Sequence, residues 1–145
     1  MQMTGNAILI TGGTSGIGRG LAEAFHRLGN QVVVAGRRQH LLDEITDANP
    51  GMLGLQLDVR DPTAIKAFTA RVQEEIPALY VLVNNAGIGR PESLTTEPVD
   101  LSISRDIIET NIMSVLHVTA ALLPTLKKQP GDDHYDYVRP RLRTA

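Results

Sequence analysis

The stretch TGGTSGIGRG, residues 11–20, puts five glycines at a junction between an apolar run, AILI, and a segment of helical spacing, LAEAFHRLG. Glycine there lets backbone come close to a bulky ligand. Gly12, Gly16 and Gly18 leave such room. The helix that follows opens with free N–H groups and the positive end of its dipole, a combination that attracts anions. Ser15 can cap that helix or bind a phosphate oxygen. The chemistry this predicts is the cradling of a pyrophosphate. A purely structural glycine turn is the competing reading, and the strand-then-helix context weighs against it. The spacing is G-x-x-x-G-x-G rather than G-x-G-x-x-G. No lysine followed by serine or threonine comes after the glycines, so this is not the phosphate loop of nucleotide hydrolases.

Four strand-like runs position this junction. They are Ala7–Thr11, Gln31–Ala35, Leu53–Leu57 and Leu79–Val83. Each is a continuous apolar run rather than an alternating one, the pattern of strands covered on both faces. Helical spacing fills the intervals. Ile17, Leu21, Ala24, Phe25 and Leu28 mark a first helix, ended by Gly29-Asn30. Leu41, Leu42, Ile45 and Ala48 mark a second, stopped at Asn49-Pro50-Gly51. Asp61 as N-cap and Pro62 at the first helical position open a third, with Ile65, Phe68, Val72 and Ile76 as its core stripe. A loop with Pro91 and Pro98 follows. One long helix is expected from about Leu101 to Lys128, with a kink possible at Pro124. This alternation predicts an α/β chain with a doubly wound parallel sheet and right-handed crossovers. Ligands of such sheets bind beyond the carboxyl ends of the strands, where the strand order reverses.

TGGTSGIG resembles the TGxxxGxG turn of the short-chain dehydrogenase/reductase family, and three further stretches carry the same resemblance in order. Asp58-Val59 follows the third strand; the resemblance implies that Asp58 hydrogen-bonds an adenine amino group and Val59 packs on the ring. A plain turn cap is the alternative for Asp58. Asn84-Asn85-Ala86-Gly87 matches the family's NNAG. There the asparagines tie the central strands together, and the Asn85, Ala86 and Gly87 backbone lines the cofactor's ribose. Asn111 lies inside the long helix, where asparagine is a poor helix former. It matches the family's catalytic asparagine, which distorts that helix and holds a water in a proton relay. A solvated surface asparagine is the alternative. The resemblance covers residues 5 to about 128. It implies a Rossmann-type sheet in the order 3-2-1-4 and a nicotinamide dinucleotide held by Gly12, Thr14, Ser15, Gly16, Ile17, Gly18, Arg37, Asp58, Val59, Asn85, Ala86 and Gly87.

The end of the second strand bears on which dinucleotide. NAD-binding dehydrogenases usually place an acid there for the ribose 2′-OH. Here VVVAGRR has none; Gly36 is followed by Arg37 and Arg38. An arginine at that point can pair bidentately with a 2′-phosphate. The expectation is NADP(H), with NAD as the alternative, Arg37 as first candidate and Ser15 as helper. Solvated helix-start arginines are the competing reading.

Within the family, hydride passes between the nicotinamide and a carbonyl or alcohol. A tyrosine serves as acid/base, a lysine four residues later lowers its pKa from about 10, and a serine orients the substrate oxygen. No Y-x-x-x-K occurs in these 145 residues. Tyr135 and Arg139 share the spacing, but Tyr135 follows Asn111 too soon for an intervening strand and helix. After Gln129 the composition turns polar and proline-broken: PGDDHYDYVRPRLRTA. Asp132, Asp133 and Asp136 suit no central parallel strand. The expected division is residues 1–129 as the N-terminal part of a dinucleotide-binding domain and 130–145 as an atypical polar tail, reading like unrelated sequence joined to a truncated enzyme. The fourth strand would then be an apolar edge, covered by the tail (HYDYV as a short fifth strand), by a second copy, or by swapping.

Composition narrows the classes. Lysine plus arginine is 14 and aspartate plus glutamate 16, which leaves no electrostatic footprint for nucleic acid or an anionic membrane. Aromatics are 3%, too few for base stacking. Without cysteine there is neither disulfide nor thiolate site, and the four histidines form no ligand-spaced cluster. The first apolar run is broken by Gly12 and lacks preceding positive charge, unlike a signal peptide or span. A cytoplasmic location is the expectation. Three readings stay open: an oxidoreductase on a small carbonyl or alcohol, inactive as it stands for want of serine, tyrosine and lysine; a dinucleotide-binding module without chemistry; and an assembly fragment that self-associates through the fourth strand or long helix. A methyltransferase shares a glycine-rich first turn but not NNAG.

Overall fold

In the computed structural model, which describes residues 3–93, 95 and 100–128, every residue of the first strand, β1 (Ala7–Thr11), is buried. It pairs in parallel with β2 (Gln31–Gly36) on one side and with β4 (Leu79–Val83) on the other, while β3 (Leu53–Gln56) pairs with β2. The order is β3-β2-β1-β4, as the sequence predicts. Successive side chains of a strand point to opposite faces. Ile8, Ile10, Val32 and Val34 therefore pack with Ala22, Leu42 and Ile45 on one side. Leu9, Val33, Ala35 and Leu55 pack with Ile65, Phe68, Val72, Val118 and Leu122 on the other. Both sets need apolar residues, which is why the strands read as unbroken runs. Each fully buried Leu, Ile or Val stabilises by about 1.5–3 kcal/mol.

The helices covering these faces are α1 (Gly16–Arg27) and α2 (Gln39–Ala48) on the first, α3 (Pro62–Glu75) and α5 (Ser114–Leu126) on the second. Asp61 caps α3 as expected: its Oδ1 accepts from Thr63 N at 2.8 Å, with Pro62 following. Gly29, at φ +81°, sits just past the end of α1. Buried Asn30 accepts from Asn6 N at 3.0 Å and donates to Phe25 O at 2.9 Å, fixing the turn between α1 and β2.

The structure revises the sequence reading at two places. The third strand stops at Gln56, one residue early; Leu57 still donates to Gly36 O at 2.9 Å and is buried. The long helix is not one continuous α-helix, and its break lies at Asn111, where the resemblance implies a distortion. It runs as α4 (Ser102–Ile108), then a π-helical turn at Glu109–Met113, then α5. A π turn accommodates an inserted residue where an α-helix cannot, and such turns concentrate at functional sites. Ser102–Leu126 spans 25 residues at a mean hydropathy of 1.4, long and apolar enough by length and composition to cross a membrane. Val118, Leu122 and Leu126 instead pack in the core of the sheet. Ile108, Ile112 and Leu116 lie outward, each more than half exposed.

Among the described residues β4 pairs with β1 alone, and Tyr80–Val83 are only half-buried. The expected short fifth strand, the boundary at 129/130, and Tyr135 and Arg139 lie outside the described residues.

Candidate functional site

The four strand ends open into one cleft of about 340 Å³, within the size range of small-molecule sites. It lies where the chain, having gone from β1 outward to β2 and β3, returns to place β4 on the other side of β1. Its wall holds Gly12, Thr14, Ser15 and Ile17 after β1, and Arg37 and Arg38 after β2. Leu57, Asp58, Val59 and Arg60 follow from β3, and Asn85, Ala86, Gly87 and Ile88 from β4. A smaller hollow shares Arg37, Leu57 and Asp58 with it and adds Gln56 and Ala64.

Thr11 and Asn85 hold the ends of β1 and β4 together. Thr11 Oγ1 accepts from Asn85 N at 3.0 Å and Ala86 N at 3.1 Å. Asn85 Nδ2 in turn donates to Thr11 O at 3.1 Å and Gly12 O at 3.2 Å. Gly12 N donates to Ala35 O at 2.8 Å, so the glycine turn is also tied to β2. Gly12 itself has φ +66°, and a Cβ there would stand 2.9 Å from Ala86 Cα. A side chain on Gly18 would strike the Gly12 carbonyl and Asn85 Nδ2. Gly18 is thus the position that lets α1 pack down on the turn. Asn84 reaches the other way, its Nδ2 donating to Thr119 Oγ1 of α5 at 3.0 Å.

Ser15 occupies the N-cap position of α1, yet its side chain makes no cap bond. Its hydroxyl therefore stays available at the cleft. Gly16 begins α1 with φ +54° and open space where a Cβ would stand. Ile17 is 78% exposed in the cleft wall, an apolar side chain that water alone does not explain. Arg37 and Arg38 are exposed, and among the described residues neither has an ion-pair partner.

Asp58 is held locally. Its Oδ1 accepts from Arg60 N at 3.0 Å and faces Arg60 Nε at 3.5 Å. Partial burial alone would raise its carboxyl; the hydrogen bonds from Arg60, helped by the charges of Arg60 and Arg37, hold it below the ordinary value instead. Val59, 8% exposed, forms an apolar part of the wall.

Asn111 stands in the π turn, one residue beyond Thr110, which is part of the wall. Its amide is engaged on both sides: Ile88 N donates to its Oδ1 at 2.8 Å, and its Nδ2 donates to Ile88 O at 2.9 Å. Thr110 is buried, and its hydroxyl has no hydrogen-bond partner among the described residues. Of the residues named from sequence, Gly16, Gly18 and Asn111 are not in the wall. The first two shape the turn; the third pins the loop after β4. Sequence reasoning missed Thr11, Arg60, Ile88 and Thr110. Only Thr11 carried a signal, as the hydroxyl residue directly before the glycines. Among the described residues no group of three or more His, Cys, Asp or Glu could hold a metal ion.

A nucleotide fits this donor set. The start of α1 without a side-chain cap, the Ser15 hydroxyl and two arginines that make no ion pair among the described residues supply positive and hydrogen-bonding character. A family model, that of the short chain dehydrogenases, matches residues 6–132.

The chain belongs to the short-chain dehydrogenase family.

The uncharacterized oxidoreductase DltE of Bacillus subtilis is 39% identical over 130 residues, covering 90% of this chain and 52% of the relative. The NADP-dependent 3-hydroxy acid dehydrogenase YdfG of Shigella flexneri is 36% identical over 121 residues, covering 81% and 47%. Among solved structures, an actinorhodin polyketide ketoreductase with NADPH matches with a TM-score of 0.72 at 34% identity, over 86% of this chain and 48% of that one. The chain spans about half the length of the relatives it matches.

Proposed function

We propose that these 145 residues bind a nicotinamide dinucleotide in the cleft at the strand ends, with NADP(H) favoured over NAD(H). The observation that carries the choice is the end of β2. Arg37 and Arg38 stand in the cleft wall with no acid beside them at that strand end and no ion-pair partner among the described residues. A 2′-phosphate is the anion that a guanidinium there can take bidentately. An NADP-dependent relative and a structural neighbour with NADPH support the same reading.

Residues in and beside the wall then divide the work. N–H groups at the start of α1 and the Ser15 hydroxyl hold the pyrophosphate. Gly12 and Gly18 let turn and helix close around it. Asp58 accepts from the adenine amino group, and Val59 packs on the ring. The Asn85, Ala86 and Gly87 backbone lines the ribose beyond. Asn111 orders the adjoining loop through Ile88 and keeps its place in a proton relay. The bound cofactor supplies or accepts hydride.

The activity to which this belongs is hydride transfer between NADP(H) and a small carbonyl or alcohol, in the cytoplasm. No Y-x-x-x-K occurs among these 145 residues, and the part of that activity read into them is the holding of the dinucleotide. Ile108, Ile112 and Leu116, spaced by four on one exposed face, are an uncharged stripe that a second copy of the chain can cover by two-fold pairing. Self-association through that face is part of the reading.

Fluorescence titration with NADPH and NADH tests it. NADPH should bind more tightly, and Arg37→Ala should weaken NADPH while leaving NADH nearly unchanged. Equal loss for both would remove the 2′-phosphate role, and no binding of either by folded protein would leave the fold assignment alone standing.

A further inference from the structure

Arg60 was not expected at the site, yet it stands in the cleft wall beside Asp58, and its backbone and side chain meet the same oxygen of that carboxylate. Arg60 N donates to Asp58 Oδ1 at 3.0 Å, and Arg60 Nε lies 3.5 Å from it. No partner is found for Asp58 Oδ2 among the described residues. The carboxylate is thus divided: one oxygen saturated by the protein, the other left to accept.

That division matters for what the cleft reads. A freely rotating carboxylate presents either oxygen and carries its full negative charge toward an incoming polyanion. One fixed by an N–H and a paired guanidinium presents one defined acceptor, and its charge is partly balanced. An acceptor with no donor of its own favours a ligand that brings an N–H and disfavours one that brings a carbonyl. A 6-aminopurine brings the first and a 6-oxopurine the second.

We infer that Arg60 is a positioning residue for base recognition: by holding Asp58 Oδ1 it leaves Oδ2 as the acceptor that selects an amino-bearing purine over its oxo counterpart. This rests on the reading that the cleft takes a dinucleotide. Arg60 itself touches no reacting atom in this assignment. It also differs from Arg37, whose part is played at the ribose phosphate.

The test compares NADPH with its hypoxanthine analogue, identical except that oxygen replaces the 6-amino group. Fluorescence titration gives both affinities for the unaltered chain, Arg60→Ala and Arg60→Lys. The unaltered chain should prefer the adenine form by on the order of tenfold, as expected for a hydrogen bond to a charged group. In Arg60→Ala, which keeps the backbone N–H bond, that preference should shrink by about threefold or more. Arg60→Lys, with charge but no planar fork, should retain part of it. The exposed position of Arg60 leaves folding intact, checked by the thermal midpoint of each variant.

If Arg60→Ala weakened both ligands equally, Arg60 would contribute charge alone and the inference would fall. An unchanged ratio with unchanged affinities would overturn it as well. An unaltered chain that bound both ligands equally would remove Asp58 as the base reader and the inference with it, while the dinucleotide reading survived. Failure to bind either ligand would end both.

Discussion

The side-chain amide of Asn111 and the backbone of Ile88 form a two-way clasp, with N–H···O distances of 2.8 and 2.9 Å. It joins the π turn of the long helix to the loop that leaves β4. An asparagine in mid-helix is costly by propensity; here its amide replaces two backbone partners of a loop that has no strand to satisfy it. Asn111→Ala removes both bonds and should lower stability by about 1–3 kcal/mol. Urea unfolding measures this, and faster hydrogen exchange at Ile88 N–H locates it. Asn111→Asp keeps only the acceptor and should fall between.

Thr11 and Asn85 make the corresponding clasp one strand over. Thr11→Val keeps the shape but strands the Asn85 and Ala86 N–H groups in a partly buried place. A loss of about 2 kcal/mol is expected. Thr11→Ser retains the hydroxyl and should cost less. Equal losses for valine and serine, read from denaturant midpoints, would assign the effect to packing instead.

Gly18→Ala drives a methyl group into the Gly12 carbonyl and the Asn85 amide. Backbone cannot swing away as a side-chain tip does, so α1 must lift from the turn. The expected result is a loss of about 1–3 kcal/mol together with NADPH binding. Gly20→Ala meets nothing within 4 Å and serves as the control, with little change in either.

Asp58 has a folded-state pKa below its ordinary value of 3.8. A depressed carboxyl stabilises the fold when ionised. Its contribution is complete above the unfolded value and is lost as pH falls through the folded one. The stability difference between the unaltered chain and Asp58→Asn should therefore be constant from neutral pH down to about 4 and shrink below it. Carboxyl carbon shifts in NMR should show the Asp58 titration moving upward in Arg60→Ala, because the guanidinium's hydrogen bond and charge favour the ionised carboxylate.

The outward stripe of the long helix should report on assembly. Ile112→Asp places a charge at its centre, where Ile112 is 55% exposed. Sedimentation at increasing concentration should show association for the unaltered chain and less for the variant. A concentration-independent monomer in both would refute self-association through that face.

Local physics made much of this legible. Unbroken β-branched runs told of strands covered on both faces, because each face of β1 and β2 meets its own helix layer. Asp61-Pro62 announced α3, because capping and a fixed φ act within three residues. That the glycine turn, Arg37 and Asp58-Val59 share one cleft wall was legible for a related reason: the cleft opens at the strand ends, and strand ends are visible in sequence. The π turn at Asn111 was legible only through the resemblance, which implies a helix distorted there; the contact of Asn111 with Ile88, 23 residues away, was not. Nor was the place of Arg60 in the cleft wall, since DVR reads as a turn until β3 is set beside β2.

By itself, then, the sequence determined the alternation of strands and helices, the parallel sheet and the stretch of backbone that lines the cleft, because period, caps and glycines act over a few residues. Only the tertiary structure decided which of those residues meet. Thr11 meets Asn85 because the crossover sets β4 beside β1, a contact between segments more than seventy residues apart; Arg60 reaches the cleft wall because β3 lies beside β2, and Asn111 meets Ile88 where the long helix passes the loop after β4.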